Sequence, residues 1–219
     1  MPTFILATRN RHKVEEIRAV LGAGHTFLSL VDFPGAPAVV EDAATFAGNA
    51  RKKVEALAAW LARNAGRLLG ADAWVLADDS GLEVDALDGA PGVHSARFAA
   101  RDRGHTGNST DTENNAKLLR LLASVPAERR TARFHCALAL VLVAARPGAE
   151  TRIFDGVCEG TILFEPRGTH GFGYDPLFQP AGHQESFAEL GEPTKNAISH
   201  RARALEQLRR WLAGARAAS

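Results

Sequence analysis

Two adjacent aspartates, Asp78 and Asp79, follow a short apolar run and precede a serine and a glycine. Like charges this close repel each other, so the pair requires a positive partner. Consecutive side chains on a strand point to opposite faces, so one aspartate can enter a site while the other braces the turn that follows. Two carboxylates here suit a hard divalent cation such as Mg²⁺, which prefers oxygen ligands. The alternative is an Asx-type turn.

A second polar cluster, TRNRHK at residues 8–13, lies between a predicted strand and a predicted helix. The N-terminus of a helix presents unbonded N–H groups and a partial positive charge, and Lys13 adds a full charge. These features are typical of a phosphate site. The alternative is a helix cap with solvated arginine and lysine side chains.

A third cluster, GFGYDP at residues 171–176, combines glycines with two aromatic residues. Glycine lets the backbone approach a ligand closely, and Phe172 or Tyr174 could stack on a base. The alternative is a tight turn whose aromatic side chains lie in the core.

The fourth cluster is KNAISHR at residues 195–201, within a predicted helix. Lys195 and Ser199 are four residues apart, and His200 and Arg201 follow on neighbouring faces. The alternative is a charged helix surface.

Together the four clusters indicate a nucleoside triphosphate with bound Mg²⁺. A carboxylate pair suits the metal, and two basic clusters with an aromatic glycine loop suit the nucleotide. The sequence contains no phosphate-loop motif, no G-x-G-x-x-G after a strand, no H-E-x-x-H and no G-x-S-x-G. These absences argue against a phosphate-loop ATPase, a Rossmann oxidoreductase, a zinc protease and a serine hydrolase.

Composition narrows the possible partners. The chain of 219 residues has 26 lysines and arginines against 25 aspartates and glutamates, a net charge of +1. Nucleic-acid-binding proteins usually carry a basic excess, so we expect no nucleic-acid partner. Cys136 and Cys158 do not form a C-x-x-C pair, which predicts two reduced, buried thiols. No signal peptide is recognised and no apolar run reaches the ~20 residues of a membrane span, so we expect a cytoplasmic protein without a membrane partner.

Apolar patterns predict the elements that must position these clusters. Strands and helices alternate at first and a hairpin comes later, which indicates an α/β fold with a mixed sheet in a single domain over residues 1–219. The predicted strands are 3–8, 25–33, 73–77, 132–143 and 150–163, with the last two joined by a Pro147-Gly148 turn. The predicted helices are 11–22, one capped by Thr45 and ending near Gly66, 114–125 and about 194–213, and residues 99–113 are predicted to form a mobile surface loop.

Six motifs in order make the chain similar to the inosine triphosphate pyrophosphatase family, which hydrolyses deaminated purine nucleoside triphosphates such as ITP, dITP and XTP. They are TRNRHKVEE, TFAGNARKK, LADDSGLEVDALDGAPGVHSARFA, NNAKLLRLL, GFGYDPLF and KNAISHRARAL. The resemblance runs from residue 3 to about residue 212.

The resemblance implies an elongated mixed β-sheet with flanking helices and two lobes around a central nucleotide-binding cleft, usually in a homodimer. It implies Mg²⁺-dependent cleavage between the α and β phosphates. Asp79 would be the acidic catalytic residue and a metal ligand, and Ser80 would contact the substrate. The aspartate pair makes Asp78 the second candidate ligand. The phosphates would be held by Thr8, Arg9, Asn10, Arg11, His12 and Lys13. The rest of the nucleotide would be surrounded by Phe172, Gly173, Tyr174, Asp175, Lys195, His200 and Arg201.

The chain departs from the family pattern at three positions. Gly48 stands where many members have a glutamate of the metal site, so the full ligand set stays open. His94 replaces a usual tyrosine, and Thr194 stands where an acidic residue is common. Two other functions fit the same motifs: a pyrophosphatase for another modified nucleotide such as dUTP, and a nucleotide-binding regulator without catalysis.

A separate hypothesis explains how the protein would distinguish deaminated purines from adenine. Hypoxanthine and xanthine carry a carbonyl acceptor at the 6-position, whereas adenine carries an amino donor there. A pocket lined with donors would reject adenine, because a buried polar group left unpaired costs roughly 1–3 kcal/mol. Arg201 has only donors, which makes it the first candidate for this contact, with Phe172 stacking on the base.

Overall fold

A computed structural model describes residues 2–66, 68–70, 72–104, 107–143 and 150–217. The strands there are β1 (Thr3–Leu6), β2 (Thr26–Ser29), β3 (Ala73–Val84), β4 (Thr131–Leu142), β5 (Arg152–Ile162) and β6 (Phe178–Pro180). The α-helices there are α1 (Arg11–Leu21), α2 (Phe46–Asn64), α3 (Asp111–Leu121), α4 (Phe187–Ile198) and α5 (His200–Ala217). Short 3₁₀ helices cover Asp85–Leu87, Gly92–Arg97, Ala100–Arg103 and Ala127–Arg129.

The strands form one mixed sheet in the order β2-β1-β3-β4-β5-β6. Strand β1 pairs in parallel with both β2 and β3, whereas β5 pairs with β6 in the antiparallel sense. The predicted α/β class with a mixed sheet is therefore confirmed. The short strand β6 was not predicted, because its three residues are too few to show a period in the sequence.

Contacts between residues divide the chain into two compact units, in agreement with the two predicted lobes. Unit 1 consists of Met1–Asp79, Cys136–Gly156 and Arg201–Ser219. Unit 2 consists of Ser80–His135 and Val157–His200. The nucleotide-binding cleft stays a prediction.

In unit 1 the sheet is covered by helices on both faces. On one face α2 packs Ala50, Val54, Leu57 and Leu61 against strand residues such as Val75. On the other face α1 and α5 pack against the alternate strand residues, which include Phe4, Leu6, Leu76, Leu138 and Leu140. The alternation follows from the two-residue period of a strand.

Two of the unit 1 helices begin at a side-chain cap. Asn10 accepts the backbone N–H of Lys13 at the start of α1, and Thr45 accepts that of Gly48 at the start of α2. Such caps satisfy N–H groups that have no partner within the helix. The predicted Thr45 cap is thus confirmed.

The core of unit 2 is rich in aromatic residues. Phe134, Phe178 and Phe187 pack against one another with ring centroids 4.7–6.1 Å apart. Leu118 of α3 and Leu122, the residue that caps the end of this helix, are both fully buried in this core. This core supports the ends of β3, β4 and β5 that belong to unit 2.

Strand β3 is longer than the sequence predicted. It continues from Ala73 to Val84, so Asp78 and Asp79 lie inside the strand, and the predicted turn at this point is wrong. The reason is pairing within the sheet, which the polar residues of the segment do not reveal. The aspartates still point to opposite faces, as the strand period requires.

The predicted last helix is two helices. Ser199 has extended backbone angles of φ −66° and ψ 164° and separates α4 from α5, so Lys195 and Ser199 do not share one continuous helix. A further interruption inside α4 at Gly191, with φ 73°, was also not predicted. The apolar spacing of residues 198–212 is preserved across the break, which is why the sequence alone predicted a single helix.

Helix α3 begins earlier than predicted, at Asp111, because Thr110 and Glu113 form a reciprocal capping box there. Part of the predicted surface loop is helical, since Ala100–Arg103 forms a 3₁₀ turn. The predicted Pro147-Gly148 turn lies outside the described residues. Cys136 and Cys158 are both buried and unbridged, as predicted. In the part of the chain that the structure describes, none of the helices has the length and apolar content required to cross a membrane.

Leu118 and Leu121 of α3 provide a matched test of the unit 2 core. Leu118 is fully buried, whereas Leu121 is 42 % exposed. Leu118→Ala should lower the free energy of unfolding by about 2–5 kcal/mol, because it leaves a cavity. Leu121→Ala should cost under about 1 kcal/mol. Urea denaturation followed by circular dichroism measures both, and equal losses would contradict this assignment of the core.

Candidate functional site

The parallel pairing of β1 and β3 places two of the predicted clusters at the same edge of the sheet in unit 1. Leu6 pairs with Leu76, and the backbone N–H of Ala7 donates to the Leu76 carbonyl at 2.8 Å. The segment 8–13 therefore leaves β1 level with the aspartates of β3. From the first turn of α1, the Lys13 ammonium forms an ion pair with Asp78.

Asp78 is surrounded by positive and donor groups. It is 3 % exposed, and its carboxylate is bonded by Lys13, by Arg201 Nε at 2.8 Å and by the Cys136 thiol at 3.1 Å. Burial alone would raise its pKa, but Arg201 and Lys13 hold the pKa of Asp78 well below its ordinary value. Asp78 is therefore ionised at neutral pH.

Arg201 is held at the start of α5 by two carboxylates. Only 1 % of its surface is exposed, and it pairs with Asp78 and with Glu16 of α1. Although burial acts to lower its pKa, Asp78 and Glu16 raise the pKa of Arg201 well above its ordinary value. The structure thus gives Arg201 protein partners, and its contact with a base stays a prediction.

Asp79, on the opposite face of β3, has a separate set of partners from α2. Lys53 Nζ lies 2.7 Å from Asp79 Oδ1, and Asn49 Nδ2 donates to Oδ2 at 3.2 Å. Burial raises the pKa of Asp79 to about 6, and Lys53 opposes that shift only in part. A carboxyl group with such a pKa can accept a proton near neutral pH.

Glu41 completes this cluster. Lys53 Nζ lies 2.9 Å from Glu41 Oε2 and also donates to the Asp78 carbonyl at 3.2 Å. Burial would raise the pKa of Glu41, but Lys53 lowers it, and Glu41 in turn raises that of Asp79. The two carboxyl groups therefore share one ammonium and titrate at different pH.

Glu41, Asn49 and Lys53 were missed by the sequence reasoning. Asn49 and Lys53 are four residues apart, so they share one side of α2. Asn49 is fully buried beside the apolar residues Ala50 and Val54. A polar pair interrupting a buried apolar stripe was the signal that could have found them.

Gly48 does not face open space for a longer side chain. A Cβ at this position would lie 2.8 Å from Ala43 Cβ and 3.0 Å from Thr45 Oγ1. These contacts are closer than Cβ atoms normally allow. The acidic group beside Asp79 comes instead from Glu41, seven residues earlier in the chain.

In unit 2 the GFGYDP loop is built around Asp175. Asp175 Oδ2 lies 2.5 Å from Lys195 Nζ and accepts the Phe172 N–H at 2.8 Å. Gly171 has φ +78°, and a Cβ there would lie 2.2 Å from Asp175 Oδ2, so the turn requires glycine. The Lys195 ammonium lies 4.4 Å from the centre of the half-buried Phe172 ring.

Tyr174 is a core residue. It is 4 % exposed, and its hydroxyl donates to the Ser95 carbonyl at 2.9 Å. His200 is likewise 4 % exposed and stacks on Phe134 with the ring centroids 4.8 Å apart. Of the two aromatic side chains in the loop, Phe172 is therefore the one available for stacking.

The structure brings the predicted residues together within each unit. In unit 1 it groups Lys13, Asp78, Asp79 and Arg201, and in unit 2 it groups Phe172, Gly173, Tyr174, Asp175 and Lys195. Ser80 is half-buried in β3. Exposed side chains lead into and begin α1, namely Arg9, Asn10, Arg11 and His12, and Thr8 is half-buried before them.

The donor set of unit 1 fits a hard divalent cation. Asp79 and Glu41 offer carboxylate oxygens, the ligands that Mg²⁺ prefers. Within the described ranges there is no group of three or more His, Cys, Asp or Glu residues suited to a metal ion. A site with few protein ligands is typical of Mg²⁺, which keeps waters and binds substrate phosphates.

Comparisons with known proteins agree with the motifs. The model of the Ham1 family matches residues 4–211. A dITP/XTP pyrophosphatase of Halalkalibacterium halodurans is 46% identical over 213 residues, 97% of this chain and 100% of that protein. A protein of the same name from Opitutus terrae is 50% identical over 94% of this chain and 96% of its own length.

Solved structures show the same fold. A HAM1 protein from Coxiella burnetii superposes with a TM-score of 0.80 at 39% identity and covers 98% of this chain and 100% of its own. The Ham1 protein of Staphylococcus aureus gives a TM-score of 0.78 at 32% identity, with 97% and 98% covered.

The charge of Asp78 should make stability depend on pH. Because its pKa is lowered in the folded state, its contribution is present above the unfolded pKa of about 3.9 and is lost as the pH falls through the folded value. Asp78→Asn should therefore lower the free energy of unfolding by about 3–5 kcal/mol at pH 7, and the deficit should shrink below about pH 4.

Denaturant titrations between pH 3 and pH 7 measure this deficit against the parent. Asp72→Asn is the control, because Asp72 is exposed just before β3. A deficit that stays constant across the range would show that the ionised form of Asp78 contributes nothing to stability.

Proposed function

Because this chain belongs to the Ham1 family, we propose that Asp79 and the groups around it carry a metal-assisted reaction at a phosphate anhydride. The chain is a hydrolase of nucleoside triphosphates, and it acts on deaminated purine nucleotides of the dITP and XTP type, giving the monophosphate and pyrophosphate. The observation that carries the proposed mechanism is the cluster of the buried Asp79 with Lys53 and the partly exposed Glu41.

Asp79 acts as the general base. Without metal its pKa of about 6 leaves it largely ionised at neutral pH, and an ionised carboxylate can accept a proton from water. Lys53 at 2.7 Å and Asn49 at 3.2 Å fix the orientation of the carboxylate. The water attacks the α-phosphorus, the bond to the bridging oxygen breaks, and pyrophosphate leaves.

Asp79 and Glu41 would hold the Mg²⁺ ion. When bound, the ion would neutralise the charge that develops on the leaving pyrophosphate. Asp78 has a different role in this proposal, because Lys13, Arg201 and Cys136 already bond its carboxylate. It keeps Lys13 and Arg201 in place.

The phosphates are bound at the start of α1. Residues 8–13 offer the N-terminus of a helix, and the exposed Arg9 and Arg11 add positive charge. Lys13, held by Asp78, supplies a further ammonium at this end of the helix. These groups recognise what all nucleoside triphosphates share.

The base is bound by the GFGYDP loop of unit 2. Phe172 offers a half-buried ring for stacking, and the pair of Lys195 with Asp175 holds the polar side of the loop. Hydrogen-bond donors around this loop select between bases. The homodimer implied by the family and the cytoplasmic location expected from the sequence stay predictions.

A substrate panel tests the function. ITP, dITP, XTP, ATP, GTP and dUTP are incubated with and without Mg²⁺, and both the monophosphate and pyrophosphate are measured. We expect kcat/KM for the deaminated purines to exceed that for ATP by about 10²-fold, the effect of two mismatched polar groups. Asp79→Asn should lower turnover by about 10²-fold or more while Asp72→Asn does not. A preference for dUTP would reassign the substrate, and binding without pyrophosphate release would indicate a regulator.

Glu41 and Asp42 provide a matched pair for the metal proposal. Glu41 shares Lys53 with Asp79, whereas the exposed Asp42 pairs with Lys52. Glu41→Gln should raise the Mg²⁺ concentration for half-maximal turnover by roughly tenfold. Asp42→Asn should leave it unchanged. Identical Mg²⁺ titrations for the parent and Glu41→Gln would place the metal away from Glu41.

A further inference from the structure

Two side chains of helix α3 form hydrogen bonds with Gly173 of the GFGYDP loop. Asp111 Oδ2 accepts the backbone N–H of Gly173 at 2.7 Å. Asn115 Nδ2 donates to the carbonyl of the same glycine at 3.0 Å. Asp111 and Asn115 are four residues apart, so they lie on one side of the helix. From there they bond the N–H group and the carbonyl group of Gly173.

The space beside the Gly173 Cα does not restrain the conformation of this residue. Its φ is +64°, and nothing lies within 4 Å of the position that a Cβ would take. Glycine adopts positive φ values about as readily as negative ones, so an unrestrained Gly173 would have many conformations. The two hydrogen bonds from α3 select one of them.

The residues on either side of Gly173 show why its conformation matters. Phe172, before it, carries the half-buried ring that the Lys195 ammonium contacts at 4.4 Å. Tyr174, after it, is anchored in the core through Ser95 at 2.9 Å. A change at Gly173 therefore moves Phe172 relative to a fixed Tyr174.

We propose that Asp111 and Asn115 are positioning residues that set the orientation of Phe172 for the base of the nucleotide. The inference rests on the proposed function, in which this loop binds the base. Neither residue touches the phosphates or the reacting atoms in that proposal. Their loss should therefore weaken substrate binding more than it slows the chemical step.

The local chemistry explains the choice of residue types. Asp111 lies in the first turn of α3, where the helix dipole favours a carboxylate, and a charged acceptor makes a stronger hydrogen bond to an N–H group. Asn115 must present a donor to a carbonyl oxygen, which an amide can do and a carboxylate cannot. An amide at position 111 therefore keeps the acceptor, whereas an acid at position 115 removes the donor.

Four variants test the proposal with ITP as the substrate. Asn115→Asp keeps the size of the side chain and removes the donor, and Asp111→Ala removes the acceptor. Each should raise KM for ITP by roughly tenfold, with kcat changed by less than about threefold. Asp111→Asn retains an acceptor oxygen and should recover most of the loss seen with Asp111→Ala. Thr112→Ala, at an exposed position on the same helix, is the control.

Two further measurements separate positioning from general damage. Pyrophosphate carries no base, so its inhibition constant should be the same in the parent and all variants, with IMP formation as the assay. Hydrogen–deuterium exchange of the peptide containing Gly173 should be faster in Asp111→Ala and unchanged in Thr112→Ala. Thermal unfolding identifies any variant that is simply unstable.

The outcomes distinguish this inference from the proposed function. If the parent does not hydrolyse ITP, the proposed function fails, and the exchange rates alone then decide whether α3 restrains Gly173. If the parent is active but KM stays unchanged in Asn115→Asp and Asp111→Ala, the positioning role is wrong. A parallel rise in KM for ITP and in the inhibition constant for pyrophosphate would also overturn it.

Discussion

The structure of unit 1 depends on the need to neutralise two adjacent buried carboxylates. Leaving a buried charge without its partner costs roughly 3–5 kcal/mol, so each aspartate requires a cation in a fixed place. Three helices each supply one: α1 brings Lys13, α2 brings Lys53 and α5 brings Arg201. Because Asp78 and Asp79 point to opposite faces of β3, the helices must cover both faces of the sheet. The need to neutralise Asp78 and Asp79 therefore determines both the packing of the unit and the electrostatics of its site.

The same constraint gives the two aspartates different chemical roles. Asp78 lies against two cations and a thiol, which keep its pKa low and its oxygens engaged. Asp79 shares a single ammonium with Glu41, so burial prevails and its pKa rises to about 6. Neighbouring carboxyl groups whose environments separate their pKa values are typical of sites that combine a structural charge with a proton acceptor. The chemistry follows from which face of the strand each side chain occupies.

The sequence predicted the features that depend on periodic patterns or on residues close together in the chain. The α/β class, the Thr45 cap and the divergence of Asp78 and Asp79 to opposite faces follow from periodicity and cap chemistry, and the order of the motifs identified the family. It did not predict the continuation of β3 or the break at Ser199, because pairing and tertiary contacts override local polarity there. It also missed Glu41 and Lys53. Their importance arises from proximity in the folded chain to Asp79, and a linear pattern does not record that proximity.

Loops obtain their shape in a different way from the sheet. The GFGYDP segment has no ladder of backbone bonds, so side chains fix its course: Asp175 inside the turn, Tyr174 in the core and α3 from outside. A pocket discriminates between bases only if its polar groups cannot follow the wrong one, because a mobile loop would re-pair them and remove the mismatch penalty. The proposed phosphate site, in contrast, would recognise a feature common to all nucleoside triphosphates and could rely on charge alone. Rigidity is therefore valuable in this loop, which lies outside the strands and helices, and the restraints around Gly173 supply it there.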